Sequence, residues 1–399
     1  MKKITVSLLL TLSISSAFAQ VTNDQYKAIT TGVPFLLINA DARSAGMGDI
    51  GAASSADVYS QQHNPAKYAF AEDQHGVGLS YTPYLTSIAN DISLSQLNYF
   101  YKFNERSAFA TSLRYFGLGD IELRENYEDV GRVVSPNEFA LDASYALKLD
   151  EQFSMAVAGR YIRSALKVPD GNTDASAANA FAFDIAAYYQ SEEVAYSDFN
   201  GRWRAGLTLQ NLGPKISYDA DKTNENFLPA NMRLGLGFDF LFDEYNKVTL
   251  MGEVRKLLVP SPIEVKFIDT NEDGDIDNSE RMDAINKANT EYRNIGWANG
   301  IFKSFGDASG GIKEELQEVI WSLGAEYMYQ DSFALRVGYF NEHELKGARK
   351  YATIGAGFKY NILKVDLSYL FSTSKVKNPL ENTLRFSLTL NFGDKYSTY

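Results

Sequence analysis

Residues 383–392, close to the end of the chain, restrict its fold more than any other stretch. Leu384, Phe386, Leu388, Leu390 and Phe392 alternate there with Arg385, Ser387, Thr389 and Asn391. Successive side chains of a β-strand point to opposite faces, so this strand is apolar on one face and polar on the other. A soluble sandwich with its core on one side fits that pattern, and so does a barrel with lipid around it. The length, about ten residues, is what a tilted strand needs to cross a bilayer.

The same alternation recurs near 76–82, 92–103, 107–116, 138–149, 153–163, 179–190, 202–211, 230–241, 247–255, 318–329, 333–341, 351–360 and 364–371. With 383–392 this makes fourteen strands, an even number, as single-chain bacterial barrels require. Two of them are especially regular. Phe139, Leu141, Ala143, Tyr145, Leu147 and Leu149 share one face; Met232, Leu234, Leu236, Phe238 and Phe240 face away from Arg233, Gly235, Gly237 and Asp239.

The connections separate the two candidates. Segments 104–106, 150–152, 242–246, 330–332 and 361–363 are tight turns. They alternate with the longer 117–137, 164–178, 212–229, 256–317, 341–350 and 372–382. Outer-membrane barrels have short periplasmic turns and long extracellular loops, whereas a sandwich has no reason to sort loop length by parity. Segment 191–201 is the one periplasmic turn of middling length. The sequence therefore predicts an all-β fold: a 14-stranded antiparallel transmembrane β-barrel in the bacterial outer membrane.

The start of the chain agrees. Lys2 and Lys3 precede the apolar run 4–12 and then Ala17-Phe18-Ala19, the layout of a secretory signal peptide over 1–19. No run of 18 apolar residues follows, so membrane crossing falls to a closed barrel, which leaves no strand edge unsatisfied in lipid. The absence of cysteine excludes a disulfide framework and thiol catalysis, and a net charge of −12 argues against a nucleic-acid partner. The 25 Tyr and 25 Phe suit aromatic girdles where the wall meets the two membrane interfaces. The predicted organisation is a signal peptide (1–19), an N-terminal hatch inside the barrel (20–75), the barrel (76–392) and a short tail (393–399).

Residues 20–75 do not alternate and are rich in small and turn-forming residues. Gly46-Met47-Gly48-Asp49-Ile50-Gly51 matches a dinucleotide-binding pattern, but no second buried strand follows, so close packing accounts for these glycines better. The three histidines, His63, His75 and His343, stand in no metal or catalytic motif. No nucleophile elbow or phosphate loop is present. Arg160, Arg163 and Arg233 are candidates for the lumen, as ordinary satisfied interior charges, and the alternating faces show no apolar lumen.

Within the longest loop, 269–280 matches a twelve-residue calcium loop. Asp269, Asn271 and Asp273 stand at positions one, three and five, and Gly274 at the sharp turn. Asp275 offers its carbonyl oxygen, and Asp277 acts directly or through water. Glu280 at position twelve supplies the bidentate carboxylate. The hard Ca2+ ion needs several oxygen ligands, which explains acidic residues at alternate positions. Segment 263–268 reads as extended and 281–292 as helical, so the expected ion is a single structural clip that orders 256–317.

The glycine-rich segment with Asn64-Pro65-Ala66 resembles the hatch of the FadL-like superfamily of outer-membrane barrels. Within it the chain is similar to the PorV/PorQ family of the type IX secretion system of Bacteroidetes, on three features. These are Asp41-Ala42-Arg43-Ser44-Ala45-Gly46-Met47-Gly48-Asp49, Tyr81-Thr82-Pro83-Tyr84 and the acidic insertion. The resemblance implies a non-enzymatic protein-transport component of the outer membrane, in contact with membrane lipid. It also implies binding to a large translocon barrel and to the C-terminal signal domain of secreted cargo, with delivery to a cell-surface sortase complex. Loops 117–137, 212–229 and 256–317 would do the recognition. Two alternatives are a FadL-like transporter of hydrophobic small molecules, which needs an apolar pocket and a movable hatch, and a lipid-acting enzyme, which needs a nucleophile–base pair.

Overall fold

The computed structural model describes residues 27–86, 89–124, 130–167, 177–219, 225–272, 274–374 and 379–396. The signal peptide 1–19 lies outside the described residues. Fourteen long strands form the wall: β1 (Asp73–Pro83), β2 (Ile92–Lys102), β3 (Ser107–Leu118), β4 (Asn137–Lys148), β5 (Phe153–Ala165), β6 (Ala178–Gln190) and β7 (Asn200–Leu212). They continue as β8 (Asn231–Leu241), β9 (Asn246–Leu257), β10 (Ile320–Tyr329), β11 (Phe333–Asn341), β12 (Lys350–Tyr360), β13 (Leu363–Ser372) and β14 (Leu384–Lys395). Each pairs antiparallel with its neighbours, and β14 closes on β1 through pairs such as Val77 with Leu390 and Leu79 with Leu388. Closure satisfies every edge, the condition that lipid imposes.

The register follows the sequence alternation. Leu384 and Phe386 are exposed on the outer face of β14 while Arg385, Ser387 and Thr389 are buried inside. The same phase puts Leu234 and Leu236 outside and Arg233, Gly235, Gly237 and Asp239 inside. Arg160 also points inward, but Arg163 does not: it pairs with Phe139 and Asn179 on the outer face and is exposed at the rim. Three residues apart on a strand means opposite faces, so Arg160 and Arg163 could never share the lumen.

Beyond the wall, short pairings stiffen the connections: Ile121–Leu123 with Arg132–Val134, Ile216–Ser217 with Glu225–Asn226, and Val194–Ala195 against β7. The longest loop carries three helices, α3 (Asn278–Arg293), α4 (Trp297–Lys303) and α5 (Ile312–Gln317). The segment before β1 runs inside the barrel as short helices, Pro34–Leu37, α1 (Ala42–Ala45), α2 (Ser60–His63) and Pro65–Phe70. (Hatch helices α1 and α2 precede α3 in the chain.) No helix among the described residues is long and apolar enough to cross a membrane.

Candidate functional site: a bolted lumen beneath a loop platform

Residues 39–54 and 58–71 are buried without exception, enclosed by the inner wall. Side-chain caps fix their conformation locally. Asp41 accepts from the Ser44 amide at 2.8 Å at the start of α1, and Asn64 accepts from the Ala66 amide at 3.0 Å before Pro65 opens the next helix. Asn64 Nδ2 also donates to the carbonyls of Ala52 and Ala187, at 2.9 and 3.0 Å, so the Asn-Pro-Ala motif ties the hatch to itself and to β6.

The glycines allow contact between backbones. Gly48 has φ +73°, and a Cβ there would come within 2.9 Å of the Tyr339 carbonyl oxygen; a Cβ on Gly338 would lie 2.1 Å from the Gly48 nitrogen. Close packing, not nucleotide binding, is the use made of 46–51.

Charged residues then bolt the hatch in place. Arg43 reaches Asp57 at 2.8 Å and Glu326 at 2.9 Å, Arg336 joins Glu326 at 2.6 Å to Asp366 at 2.8 Å, and all five are largely or fully buried. Glu253 accepts from the amides of Gly51 and Ala52 at 2.9 and 2.8 Å, and Asp49 accepts from Arg385 at 3.0 Å and from the Tyr351 hydroxyl at 2.6 Å. Arg160 lies between Asp142, at 2.6 Å, and Asp184, at 3.0 Å. His63 Nε2 is 2.7 Å from Asp41 while Arg233 points a guanidinium nitrogen at Nδ1 from 3.2 Å. Arginine only donates, so in the neutral ring Nδ1 accepts and Nε2 carries the proton to Asp41. Both ring nitrogens are thereby engaged. His75 stacks on the outer wall against Tyr101 and Phe392, and His343 accepts from the Leu345 amide in a loop.

The lumen is not uniformly polar, which corrects the sequence expectation. Leu94, Phe116, Ala140 and Ile162 point inward at the extracellular end, where Val33, Phe35 and Leu36 of the hatch pack against them. The chain fills this apolar volume with its own residues. On the periplasmic side a cavity of about 250 Å³ remains, lined by polar groups that include Arg43, Asp57, Arg202, Arg204, Lys364 and Asp366.

Above the hatch, the extracellular connections after β7, β9 and β11 pack into one platform. Tyr292 of α3 donates to the Pro260 carbonyl at 3.0 Å and meets Phe227 edge-on at 5.5 Å, and burial pushes its phenol up to about 12. Lys215 donates to the Arg293 carbonyl at 2.7 Å. Lys346 bridges Glu314 and Glu318, at 2.7 and 2.9 Å, and Lys256 also reaches Glu318, at 2.5 Å. Burial would raise Glu314, but hydrogen bonds from Lys346, the Gly310 amide and Lys27 outweigh it and hold the carboxyl down to about 2.

The predicted calcium residues are arranged as follows. Gly274 adopts φ +90°, the sharp turn its position six requires. Asp269 accepts from the amides of Glu272 and Gly274 at 2.7 and 2.8 Å. Glu280 folds back to accept from the Thr270 hydroxyl and amide, both at 2.7 Å, and with Asp277 forms the capping box that starts α3. The Thr270 hydroxyl and these amides lower Glu280, and the Glu280 amide lowers Asp277. Asp273 lies outside the described residues, and among those described no three acidic or imidazole groups converge as a metal cluster. Segment 281–292 is helical as expected, within α3.

Sequence reasoning missed α4, α5 and the Lys256–Glu318–Lys346 cluster. One signal was available. By alternation Lys256 falls on the same outer face as Val254 and Met232, where lipid should stand, so something had to cover it.

The family model for type IX secretion system protein PorV matches residues 20–264. No curated protein matches the chain. Among solved structures, a Pseudomonas aeruginosa FadL homologue is 11% identical, with 92% of this chain and 100% of that one covered and a TM-score of 0.42. The Pseudomonas putida toluene transporter TodX is 13% identical, with coverage of 92% and 98% and a TM-score of 0.47.

Proposed function

The chain belongs to the PorV family and is an outer-membrane component of the type IX secretion system, and from that premise we propose that it receives secreted cargo on its extracellular platform. In this reading the platform binds the C-terminal signal domain as cargo leaves a large translocon barrel. The complex then passes cargo to the cell-surface sortase assembly. The observation that carries the reading is the contrast between a lumen filled by the chain's own hatch and an extracellular end built of packed loops. Recognition on the loops requires no passage through the barrel. A transporter of hydrophobic molecules would need the space that Phe35 and Leu36 occupy.

The platform's chemistry suits a protein partner. α3 is polar on nearly all sides, and elsewhere on the extracellular connections Val133, Phe267 and Ile268 are exposed. Mixed apolar and charged surface is what a transient protein interface uses. We further propose that 269–280 takes one Ca2+ ion, which would compete with the amides now held by Asp269 and Glu280. An affinity in the range of about 10⁻⁴ to 10⁻³ M would serve outside the cell.

The test is a gentle-detergent pull-down from native outer membranes after brief cross-linking, followed by protein and lipid mass spectrometry. Recovery of secreted proteins sharing a C-terminal domain, joined through platform residues, supports the reading. Recovery of the barrel alone, loaded with fatty acid or another small apolar molecule, supports the transporter instead.

A further inference from the structure

On three neighbouring strands, the outer wall at its extracellular end is covered by protein. Leu209 pairs with Ile185 and, past a bulge at Asn211, Leu212 pairs with Phe183, which places both leucines on the lipid side of β7. Met232 pairs with Lys256 on the same side, and beyond them Ala230 and Leu258 continue the face through a backbone bond. Lipid-facing residues on neighbouring strands are well exposed, yet Leu212 is 7% and Leu258 2% accessible. Their cover is α4: Trp297 and Ile301 pack against this cluster. Lys256 is sealed in the same way by Glu315 and Glu318, at the end of α5 and just after it. The long loop therefore folds down outside the barrel as well as over it.

The far side of this cover is apolar. Phe302 is 79% exposed, Phe305 52%, Ile312 82% and Leu316 68%. Ile312 and Leu316 share one face of α5, four residues apart, while Glu314 and Glu318 face the lysines. The surroundings identify what meets them. At this height the wall carries aromatic residues elsewhere, with Phe139, Tyr161 and Phe181 in a row on β4–β6 and Trp321 beside Tyr339 on β10–β11. The outward residues nearest the extracellular ends of β7, β8 and β9 are Leu209, Leu212, Met232 and Lys256, none of them aromatic, and this is the stretch that α4 and α5 cover.

We propose that α4 and α5 form a skirt seated in the outer leaflet, supplying with Phe302, Phe305, Ile312 and Leu316 the interfacial belt that these three strands lack. The occupant of the exposed face is a phosphorylated lipid surface. The apolar face is continuous with the lipid-facing wall, and exposed Lys303 and Lys313 stand beside it to reach anionic headgroups. Internal pairing of the glutamates with lysines leaves the inner side of α5 free of unpaired charge toward the wall. The skirt would hold the platform at a fixed height above the membrane.

The chain has no cysteine, so single labels are clean. Full-length Phe302→Cys, Ile312→Cys and Leu316→Cys proteins, each carrying a bimane dye, are placed in nanodiscs of phosphatidylethanolamine and phosphatidylglycerol. Leu236→Cys on the mid-wall and Lys287→Cys on the exposed side of α3 serve as references. Doping with 5-doxyl phosphatidylcholine is expected to quench the three skirt labels nearly as much as the wall label, with the α3 label almost unaffected and iodide showing the reverse order. Skirt labels quenched by iodide and not by doxyl lipid would overturn the proposal. Shielding from both quenchers would also overturn it, by assigning the face to a protein neighbour.

Discussion

The hatch and the longest loop both lack barrel strands, and they solve opposite problems. The hatch, 27–71, lies inside the wall and must satisfy the polar groups it brings there, with few exceptions such as Gln61 Nε2. It does so with shared backbone amides, glycine-to-glycine contact and charges in pairs, as in Arg43–Glu326–Arg336–Asp366. The long loop, 258–319, meets the outside of the wall and water. It is tied at a few points, by Tyr292 to Pro260, by Trp297 to the outer wall and by Glu314 and Glu318 to lysines. The lesson is where motion can reside: loosening the hatch means separating buried charges, whereas the loop can release one tie at a time.

The largest effect is expected from Glu326→Gln, which leaves Arg43 and Arg336 facing each other with one carboxylate fewer. Urea unfolding in detergent should show a loss of about 3 kcal/mol, typical for breaking a buried ion pair. An unchanged midpoint would mean that the bolt contributes nothing. Next, Gly338→Val drives a side chain into the Gly48 backbone, at a cost of about 2 kcal/mol if the hatch stays and protease access to 39–71 if it leaves. On the loop, Trp297→Ala should cost about 1–2 kcal/mol of local docking, since much of that side chain's burial is against the wall. Hydrogen exchange should rise in α4 and α5 with the barrel strands unaffected; a barrel-wide rise would break the contrast between the two regions.

Acid should release the loop. Glu314 is held at about 2 against an ordinary 4.5, so its contribution is complete above about 4.5 and is lost as pH falls toward 2. Glu318 is lowered in the same direction: burial opposes ionisation, but hydrogen bonds from Lys256, Ser261 and Lys346 prevail. Fluorescence anisotropy of a dye on Leu316→Cys should be flat from pH 7 to 5 and drop below about 4. A drop already at pH 6 would point to other groups. The smallest effect is Glu280→Gln, a slight rise in hydrogen exchange confined to the first turn of α3, because glutamine keeps the capping-box acceptor and loses only its charge. In the same variant, terbium luminescence should require higher calcium for displacement; unchanged titration would remove 269–280 from consideration as a metal loop.

The wall was legible in the sequence because lipid enforces alternation along most of each strand, and it fails only near the extracellular ends, as at Arg163 and the loop-covered Lys256. Strand 383–392 alone fixes the phase, and the alternation of turn and loop lengths supplies the topology. The pairs that bolt the hatch were not legible. Arg43 and Glu326 are 283 residues apart, and only barrel closure brings them together. Arg163 was misjudged by ignoring the parity that placed Arg160 correctly. The apolar end of the lumen was hidden because Leu94, Phe116 and Ile162 lie among polar inward neighbours on their own strands and become contiguous only across the sheet. In the platform, the acidic pattern of 269–280 was visible, but the capping role of Asp277 and Glu280 uses the same residues in the same spacing. Helices α4 and α5 are too short for a periodicity signal.

Whether the platform or the lumen carries the function can be decided by locking the hatch. Ala53→Cys with Gly235→Cys places two thiols where a Cβ on Gly235 would stand 3.0 Å from that of Ala53. Secretion is then followed by the amount of cargo displayed on the cell surface, with and without reductant. Function on the loops requires secretion to continue with the disulfide closed and to fail when 117–137 or 258–319 is shortened in a correctly inserted barrel. Secretion that stops on closing the disulfide and returns on reduction would contradict it, and would place the working part inside the barrel.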